Sequence, residues 1–183
     1  SYFWITDDDG GALAAGEIGR IRVRGGCVTR GYWNDAALTA ESFDESGFFV
    51  SSDLGYFTDE GNLVLAGRAG DMYIRGGFNV HPVEVEHALA EHPGVHQIAV
   101  VGHPAPVIGE VGVAFVVPSD PDRAPSLEDI RVWSRARLAD YKAPDHLIIT
   151  DAIPVNAMSK TDRVALQSLA QVRIPSTPEV RPH

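Results

Sequence analysis

The sequence predicts an α+β protein in which a β-rich first part precedes a small domain that mixes strands with helices. Residues 17–24 (EIGRIRVR) alternate apolar and polar side chains between turn-rich segments, as a half-buried strand does. After residue 71, strand-like and helix-like segments alternate, and the strand-like segments are short. Short strands of this kind favour a small α+β domain over a doubly wound parallel sheet.

The first part is expected to hold one short helix and several more strands. Residues 35–43 (DAALTAESF) suit a short helix. Residues 47–67 supply two or three short strands joined by a turn at 59–62, where the letters DEGN stand. This pattern is typical of barrel-like antiparallel structure.

The second part carries clear helix signals. Pro82 suits the first turn of a helix that runs to about Glu91, and Pro93-Gly94 ends it. Glu84 and Glu86 lie near the positive N-terminal end of this helix, where acidic side chains are favoured. Two further helices are expected over residues 126–139 and 162–172.

Strand-like segments separate these helices. They cover residues 96–102 (HQIAVVG), 110–117 (EVGVAFVV) and 147–150 (LIIT). From about residue 174 the chain is broken by prolines, and this tail is expected to be frayed.

Charge and composition exclude several classes of protein. The net charge of −10 and the pI near 5.0 argue against binding to nucleic acid, which needs a basic surface. The single cysteine, Cys27, cannot form an internal disulfide. No apolar run approaches the roughly 18 residues of a membrane span, and nothing resembles a signal peptide. A cytoplasmic protein is therefore expected.

The usual short catalytic motifs are absent. The sequence has no GxxxxGK[ST] phosphate loop, no GxSxG, no HExxH and no paired CxxC. His92 and His96 have a metal-like spacing, but Pro93-Gly94 breaks the helix that would place both on one face. No metal site is predicted.

Three polar residues beside glycines or in turns are candidates for contact with a nucleotide. The carboxylate of Asp53, at the end of an apolar strand, can accept hydrogen bonds from both ribose hydroxyls. Arg68 offers donors for ribose or phosphate oxygens, and Lys160 offers a point charge for an anionic centre. Taken singly, such residues are usually only solvated or hydrogen-bonded within their own turn.

Five segments that occur in one order are more specific than any single residue. They are GEIGRIRVRG…GYW (16–33), GFFVSSDLGYFTDEGNLVLAGRAGDMYIRGGFNVHPVEVE (47–86), HPGV…VVG (92–102), LADYKAP (138–144) and IPVNAMSKTDR (153–163). Across most of its length, the sequence therefore resembles the C-terminal part of the adenylate-forming enzyme superfamily. Within that superfamily it looks like the acyl-CoA synthetases, the AMP-dependent synthetase and ligase family.

The resemblance implies a two-step reaction and a division into domains. A carboxylic acid and ATP with Mg²⁺ would give an acyl adenylate and pyrophosphate, and coenzyme A would then displace AMP to form a thioester. Residues 1–70 would be the end of a large AMP-binding domain, which would be the partner of a small lid domain over residues 72–183. The lid would rotate about Asp71 between the two steps.

The resemblance also implies roles for single residues. Asp53 would bind the ribose hydroxyls, Arg68 would assist at the nucleotide, and Lys160 would serve adenylation. Gly76 and Gly77 would lie against the pantetheine arm of CoA, because a backbone without side chains lets a thin ligand approach closely. An ordinary pair of β-turns is the alternative interpretation of these two glycines.

Two serines depart from the family pattern. The chain has Ser51-Ser52-Asp53 where the family usually has Thr-Gly-Asp, and Ser159 where glycine commonly precedes the lysine. If either position requires a positive φ, serine there costs roughly 1 kcal/mol. Gly70, beside the expected hinge, stands where many relatives have a charged residue.

Three functional hypotheses follow. The first is a fragment of an acyl-CoA synthetase that is inactive alone, because the phosphate loop, the adenine-binding motif and the acyl pocket would lie before residue 1. The second is a free-standing lid-like module that binds or regulates a partner protein, and the third is part of a peptide synthetase adenylation domain. The sequence leaves the activated acid open among fatty, short and aryl acids.

Overall fold

The computed structural model describes residues 1–174, which form two compact units, the first covering Ser1–Gly70 and the second beginning at Asp71. Both units contain antiparallel sheets with helices, which confirms the α+β class. The tail beyond residue 174 lies outside the described residues. Over residues 1–174, no helix has the length and apolar character needed to cross a membrane.

The first unit is an antiparallel sheet with one short helix. Its elements are β1 (Tyr2–Thr6), β2 (Gly19–Arg24), α1 (Ala36–Ser42), β3 (Phe49–Phe57) and β4 (Leu63–Arg68). The strands are ordered β1-β2-β3-β4, so each pairs with its neighbour in sequence. Asp35 caps α1 by accepting a hydrogen bond from the Leu38 amide at 2.9 Å. The predicted strands and short helix of this part are confirmed, but the barrel-like arrangement is not, because the described strands form an open sheet in which β4 does not pair with β1.

The second unit is a five-stranded sheet with three helices. Its elements are β5 (Tyr73–Arg75), β6 (Phe78–Val80), α2 (Pro82–Ala90), β7 (Val95–Ala105), β8 (Gly109–Pro118), α3 (Leu127–Arg135), β9 (His146–Ile149) and α4 (Arg163–Arg173). The sheet order is β6-β5-β8-β7, and β9 pairs with β8 in parallel while the other pairs are antiparallel.

The second unit has a core on each face of its sheet. Alternate residues of a strand point to opposite faces. Val100, Ala114 and Val116 therefore pack with Val85 and Leu89 of α2 and with other residues, including Ile130 of α3. On the other face, Val101, Val113 and Phe115 pack with Leu166 and Ala170 of α4. This packing fixes α4, and the segment that leads into it, to the sheet.

Tyr73 occupies a slot made by two glycines that face each other across β7 and β8. Gly102 and Gly112 are paired residues of the ladder, and Tyr73 is 1% exposed. A Cβ on Gly102 would collide with the Tyr73 Cβ, and a Cβ on Gly112 would collide with the Tyr73 hydroxyl oxygen. Glycine at residues 102 and 112 therefore leaves room for the Tyr73 ring, and a larger residue at either position would collide with Tyr73.

The helix predicted over residues 126–139 is shorter in the structure. It begins as expected, because Ser126 and Asp129 form a reciprocal capping box, but it ends at Arg135. The chain then makes a 3₁₀ turn over Asp140–Lys142, which packs Tyr141 against the core together with Leu138. Tertiary packing therefore ends this helix.

Candidate functional site

Asp53 and Arg68, the two nucleotide-binding candidates of the first unit, lie directly opposite each other on β3 and β4. The Arg68 Nε lies 3.3 Å from the Asp53 Oδ1, and the two side chains are 59% and 46% exposed. An exposed ion pair of this kind contributes only about 0–1 kcal/mol to stability. Both groups are therefore accessible, and a polar ligand can engage them at little cost.

Ser51 helps to fix the backbone at Asp53. The Asp53 amide donates to the Ser51 Oγ at 3.1 Å, a local bond between side chain and backbone within β3. Ser52 points to solvent, and its φ lies outside the left-handed region. The Ser-Ser-Asp sequence therefore causes no backbone strain at Ser52, where the family usually has glycine.

Lys160 lies at the end of a closed turn that precedes α4. The Asn156 amide donates to the Lys160 carbonyl at 2.8 Å, and the Asp162 amide donates to the Pro154 carbonyl at 2.9 Å. The Asn156 side-chain oxygen accepts from the amides of Met158 and Lys160 at 2.9 and 3.1 Å. The turn, called the lysine hairpin from here (residues 154–162), holds Lys160 exposed to solvent.

Asn156 was not singled out in the sequence, although asparagine is a frequent organiser of turns. Its side chain accepts two of the amides that would otherwise face solvent in the lysine hairpin. That general preference does not identify which amides the side chain accepts, so the role of Asn156 is seen only in the hydrogen bonds.

Ser159 adopts a φ of +57°, in the left-handed region that favours glycine. Serine therefore stands here at a position with a positive φ, where glycine would be less strained. We expect Ser159→Gly to raise the free energy of unfolding of the second unit by up to about 1 kcal/mol, because glycine removes the steric cost of this conformation. Calorimetric unfolding of the 183-residue chain measures the change.

The matched control is Ser52→Gly, which makes the same chemical change at a position without a positive φ. It should lower the stability of the first unit by roughly 0.5–1 kcal/mol, because glycine within a strand loses more conformational entropy on folding. Equal effects of the two substitutions would show that the backbone at Ser159 is not strained.

Asp71 is the first residue of the second unit, and it ends a 3₁₀ turn that begins at Ala69. Its carboxylate is not free, since the Arg163 Nε lies 2.9 Å from its Oδ2. Gly70 precedes it with a φ outside the left-handed region, and a Cβ added at Gly70 would meet no atom within 4 Å. Nothing in this conformation requires glycine at residue 70.

Gly76 and Gly77 form the two-residue turn of the β5–β6 hairpin. Their φ angles are +58° and +86°, as in the turns that best match the twist of two-residue hairpins. The Gly76 amide donates to the Ile108 carbonyl at 2.8 Å, and nothing lies within 4 Å of a Cβ on Gly77. The turn geometry alone accounts for both glycines, so a contact with CoA stays a prediction.

A bidentate ion pair between Arg75 and Asp145 holds the β5 strand of this hairpin. The Arg75 guanidinium donates to both carboxylate oxygens of Asp145, at 2.7 and 2.8 Å. The hydrogen bond with Asp145 raises the pKa of Arg75. Burial works to raise the pKa of Asp145, but its hydrogen bonds with Arg75 and the Gly112 amide outweigh burial and lower it. The pair is therefore charged, and it orients β5.

The structure thus brings two of the predicted site residues into contact, Asp53 and Arg68, and distributes the others over the second unit. Lys160, Asp71 and the Gly76-Gly77 turn lie on three separate segments there. Among the described residues, no group of three or more His, Cys, Asp or Glu side chains could hold a metal ion.

Comparison with known protein families matches residues 84–160 to the AMP-binding enzyme C-terminal domain. The chain is 40% identical over 156 residues to a feruloyl-CoA synthase from an Amycolatopsis species, covering 85% of this chain and 31% of that protein. It is 35% identical over 164 residues to the 2,3-dihydroxybenzoate-AMP ligase of Bacillus subtilis, covering 89% and 30%. The chain spans about 30% of the length of the curated relatives it matches.

Solved structures show the same similarity. ATP-bound MatB from Rhodopseudomonas palustris matches with a TM-score of 0.85 and 34% identity, covering 93% of this chain and 34% of that chain. The o-succinylbenzoate CoA synthetase of Bacillus subtilis, in complex with its acyl-adenylate intermediate, matches with a TM-score of 0.80 and 32% identity, covering 96% and 34%. The resemblance inferred from the five ordered segments is confirmed.

Proposed function

Because residues 84–160 match the AMP-binding enzyme C-terminal domain, and the chain is similar to acyl-CoA ligases and other adenylate-forming enzymes, we propose that it serves an ATP-dependent acid–thiol ligase. In the proposed reaction, the carboxylate of an acid attacks the α-phosphate of ATP, which gives an acyl adenylate and releases pyrophosphate. The thiol of CoA then attacks the acyl carbon, and AMP leaves as the thioester forms.

The observation that carries the proposal is the lysine hairpin. A closed turn holds an exposed ammonium group on a fixed backbone. Negative charge develops around the α-phosphate as the carboxylate attacks and pyrophosphate leaves, and a positioned cation stabilises that transition state. Lys160 is the residue that we assign to this role in adenylation.

Asp53 and Arg68 support nucleotide binding. The Asp53 carboxylate accepts hydrogen bonds only, which suits the two hydroxyls of a ribose. The cross-strand position of Arg68 puts a guanidinium beside that carboxylate, where it can donate to ribose or phosphate oxygens. We assign the CoA pantetheine arm to the Gly76-Gly77 turn and the hinge to Asp71.

The remaining reactants and partners belong to the whole ligase. Mg²⁺ would neutralise charge on the ATP phosphates, and we assign no residue of this chain to it, since the described residues offer no ligand cluster. The adenine and acid sites would be supplied by an N-terminal AMP-binding domain. We place the reaction in the cytoplasm, where an exposed lone cysteine such as Cys27 persists as a thiol.

The test uses the complete protein that contains this chain. We expect pyrophosphate release from ATP that depends on an added carboxylic acid, followed by a CoA thioester. The panel begins with aryl acids, since a feruloyl-CoA synthase and a dihydroxybenzoate-AMP ligase are among the relatives, and continues with short and fatty acids.

Three outcomes separate the hypotheses. Acid-dependent pyrophosphate release with transfer to free CoA supports the ligase. Release with transfer only to a carrier protein would favour a peptide synthetase. No release with any acid would contradict the proposal and favour a binding or regulatory module.

A further inference from the structure

The side chain of Arg163 contacts three residues of the second unit, Asp71, Glu86 and Val100. Its Nε lies 2.9 Å from the Asp71 carboxylate, while its two terminal nitrogens donate to the Glu86 carboxylate at 2.8 and 3.1 Å. One of them also donates to the Val100 carbonyl at 2.7 Å. The side chain is only 17% exposed. One guanidinium therefore joins the start of the unit to α2 and β7.

The acceptors of Arg163 are themselves fixed. Glu86 is on α2, its side chain is 16% exposed, and its Oε1 also accepts from the Val100 amide at 2.8 Å. Val100 is fully buried in the middle of β7. Burial works against the charge of Arg163, but Glu86 and Asp71 outweigh burial and raise its pKa. The arginine is therefore charged and has little freedom to rotate.

Arg163 is also the first residue of α4, directly after the lysine hairpin. Asp162 caps the helix by accepting from the Ala165 amide at 3.0 Å, and its own amide closes the hairpin on Pro154. The backbone that carries Lys160 is thus continuous with the residue that binds Asp71. The sequence IPVNAMSKTDR contained this arginine, but no role was predicted for it.

We propose that Arg163 is a positioning residue that makes the lysine hairpin and Asp71 move as one body. The inference rests on the proposed function, in which Lys160 must be presented to the α-phosphate by rotation about the junction at residues 70 and 71. Rotation at the junction then carries Lys160 with it, because Arg163 binds both Asp71 and Glu86 and so holds the lysine hairpin to the start of the unit. A loosened cluster would leave Lys160 present but misplaced.

Amide hydrogen exchange on the 183-residue chain tests the coupling without any catalysis. The readouts are the amides of Asn156 and Ser159, which are bonded within the lysine hairpin. We expect Asp71→Asn to speed their exchange roughly 5-fold, since an amide replaces a charge-assisted partner of Arg163. Arg163→Lys should speed it roughly 10-fold, because an ammonium cannot span three acceptors.

Arg22→Lys is the matched control. Arg22 lies in the first unit, where it pairs with Asp44 at 2.7 Å, and its side chain is as buried as that of Arg163. It should leave exchange in the hairpin unchanged. If Asp71→Asn also left the hairpin amides unchanged, the coupling would be rejected, and this holds even if Arg163→Lys fails to fold.

The complete ligase supplies the second readout. Arg163→Lys should slow acyl-adenylate formation more than thioester formation from a supplied adenylate, with kcat affected more than the KM for ATP. Equal slowing of both half-reactions would mean that Arg163 is merely structural. A wild-type protein that forms no adenylate would overturn the proposed function instead, while the exchange result would still decide the coupling.

Discussion

Replacing Lys160 with alanine in the complete ligase is expected to lower the rate of acyl-adenylate formation by about 10²–10³-fold, the effect of losing one preorganised charge-stabilising donor. The hairpin backbone should survive, because the side chain of Asn156, and not that of Lys160, accepts its amides. Pyrophosphate release in single turnovers measures the first step. Thioester formation from a supplied acyl adenylate should stay close to the wild-type rate.

Lys142→Ala is the control, since Lys142 and Lys160 are the two lysines of the chain. Lys142 contacts both carboxylate oxygens of Glu84, at 2.6 and 2.7 Å, so its loss should affect stability and leave adenylation within a few-fold. A matching loss in both half-reactions of the Lys160 variant would contradict a role confined to adenylation.

Asp71→Pro should impair the second half-reaction most. Proline fixes φ near −65° and also restricts the preceding residue, so the junction at Gly70 and Asp71 loses the freedom that rotation needs. We expect thioester formation to fall by about 100-fold, equivalent to about 2.7 kcal/mol against the rotated state. Stopped-flow mixing of CoA with preformed adenylate measures this rate.

Asp71→Asn separates the two effects of proline, which are the loss of the ion pair with Arg163 and the restriction of φ. It removes the charge that pairs with Arg163 but keeps an unrestricted backbone. If the asparagine variant lost thioester formation as severely as the proline variant, the ion pair and not the φ restriction would be responsible. An unchanged rate in the proline variant would remove Asp71 from the hinge.

Local signals made much of the fold predictable. Asp35, Ser126 and Asp162 each cap a helix through their own side chains, and each contact spans three residues, so the helix starts could be predicted from neighbouring letters. The end of α3 could not, because none of the eight residues after Arg135 is a glycine or a proline. That helix stops where the packing of Leu138 and Tyr141 requires the chain to turn.

Contacts between distant segments could not be predicted from the sequence. The parallel pairing of β9 with residues 113–116 of β8 joins segments separated by α3, and hydrophobic patterning does not reveal strand partners. The ion pair of Arg163 with Asp71 likewise has no periodic signature. The ordered motifs made Asp53, Arg68 and Lys160 candidates, whereas the residues that hold them, Ser51 and Asn156, emerge only from the hydrogen bonds.

The long β7–β8 ladder has a consequence for the order of folding. Its paired residues run from Val95–Pro118 to Ala105–Gly109, and the loop between the strands is short, so the ladder forms from local contacts. β5 and β9 both join the other edge of β8, and each must close a longer stretch of chain to do so. We therefore expect the β7–β8 ladder to form before β5 and β9 join β8.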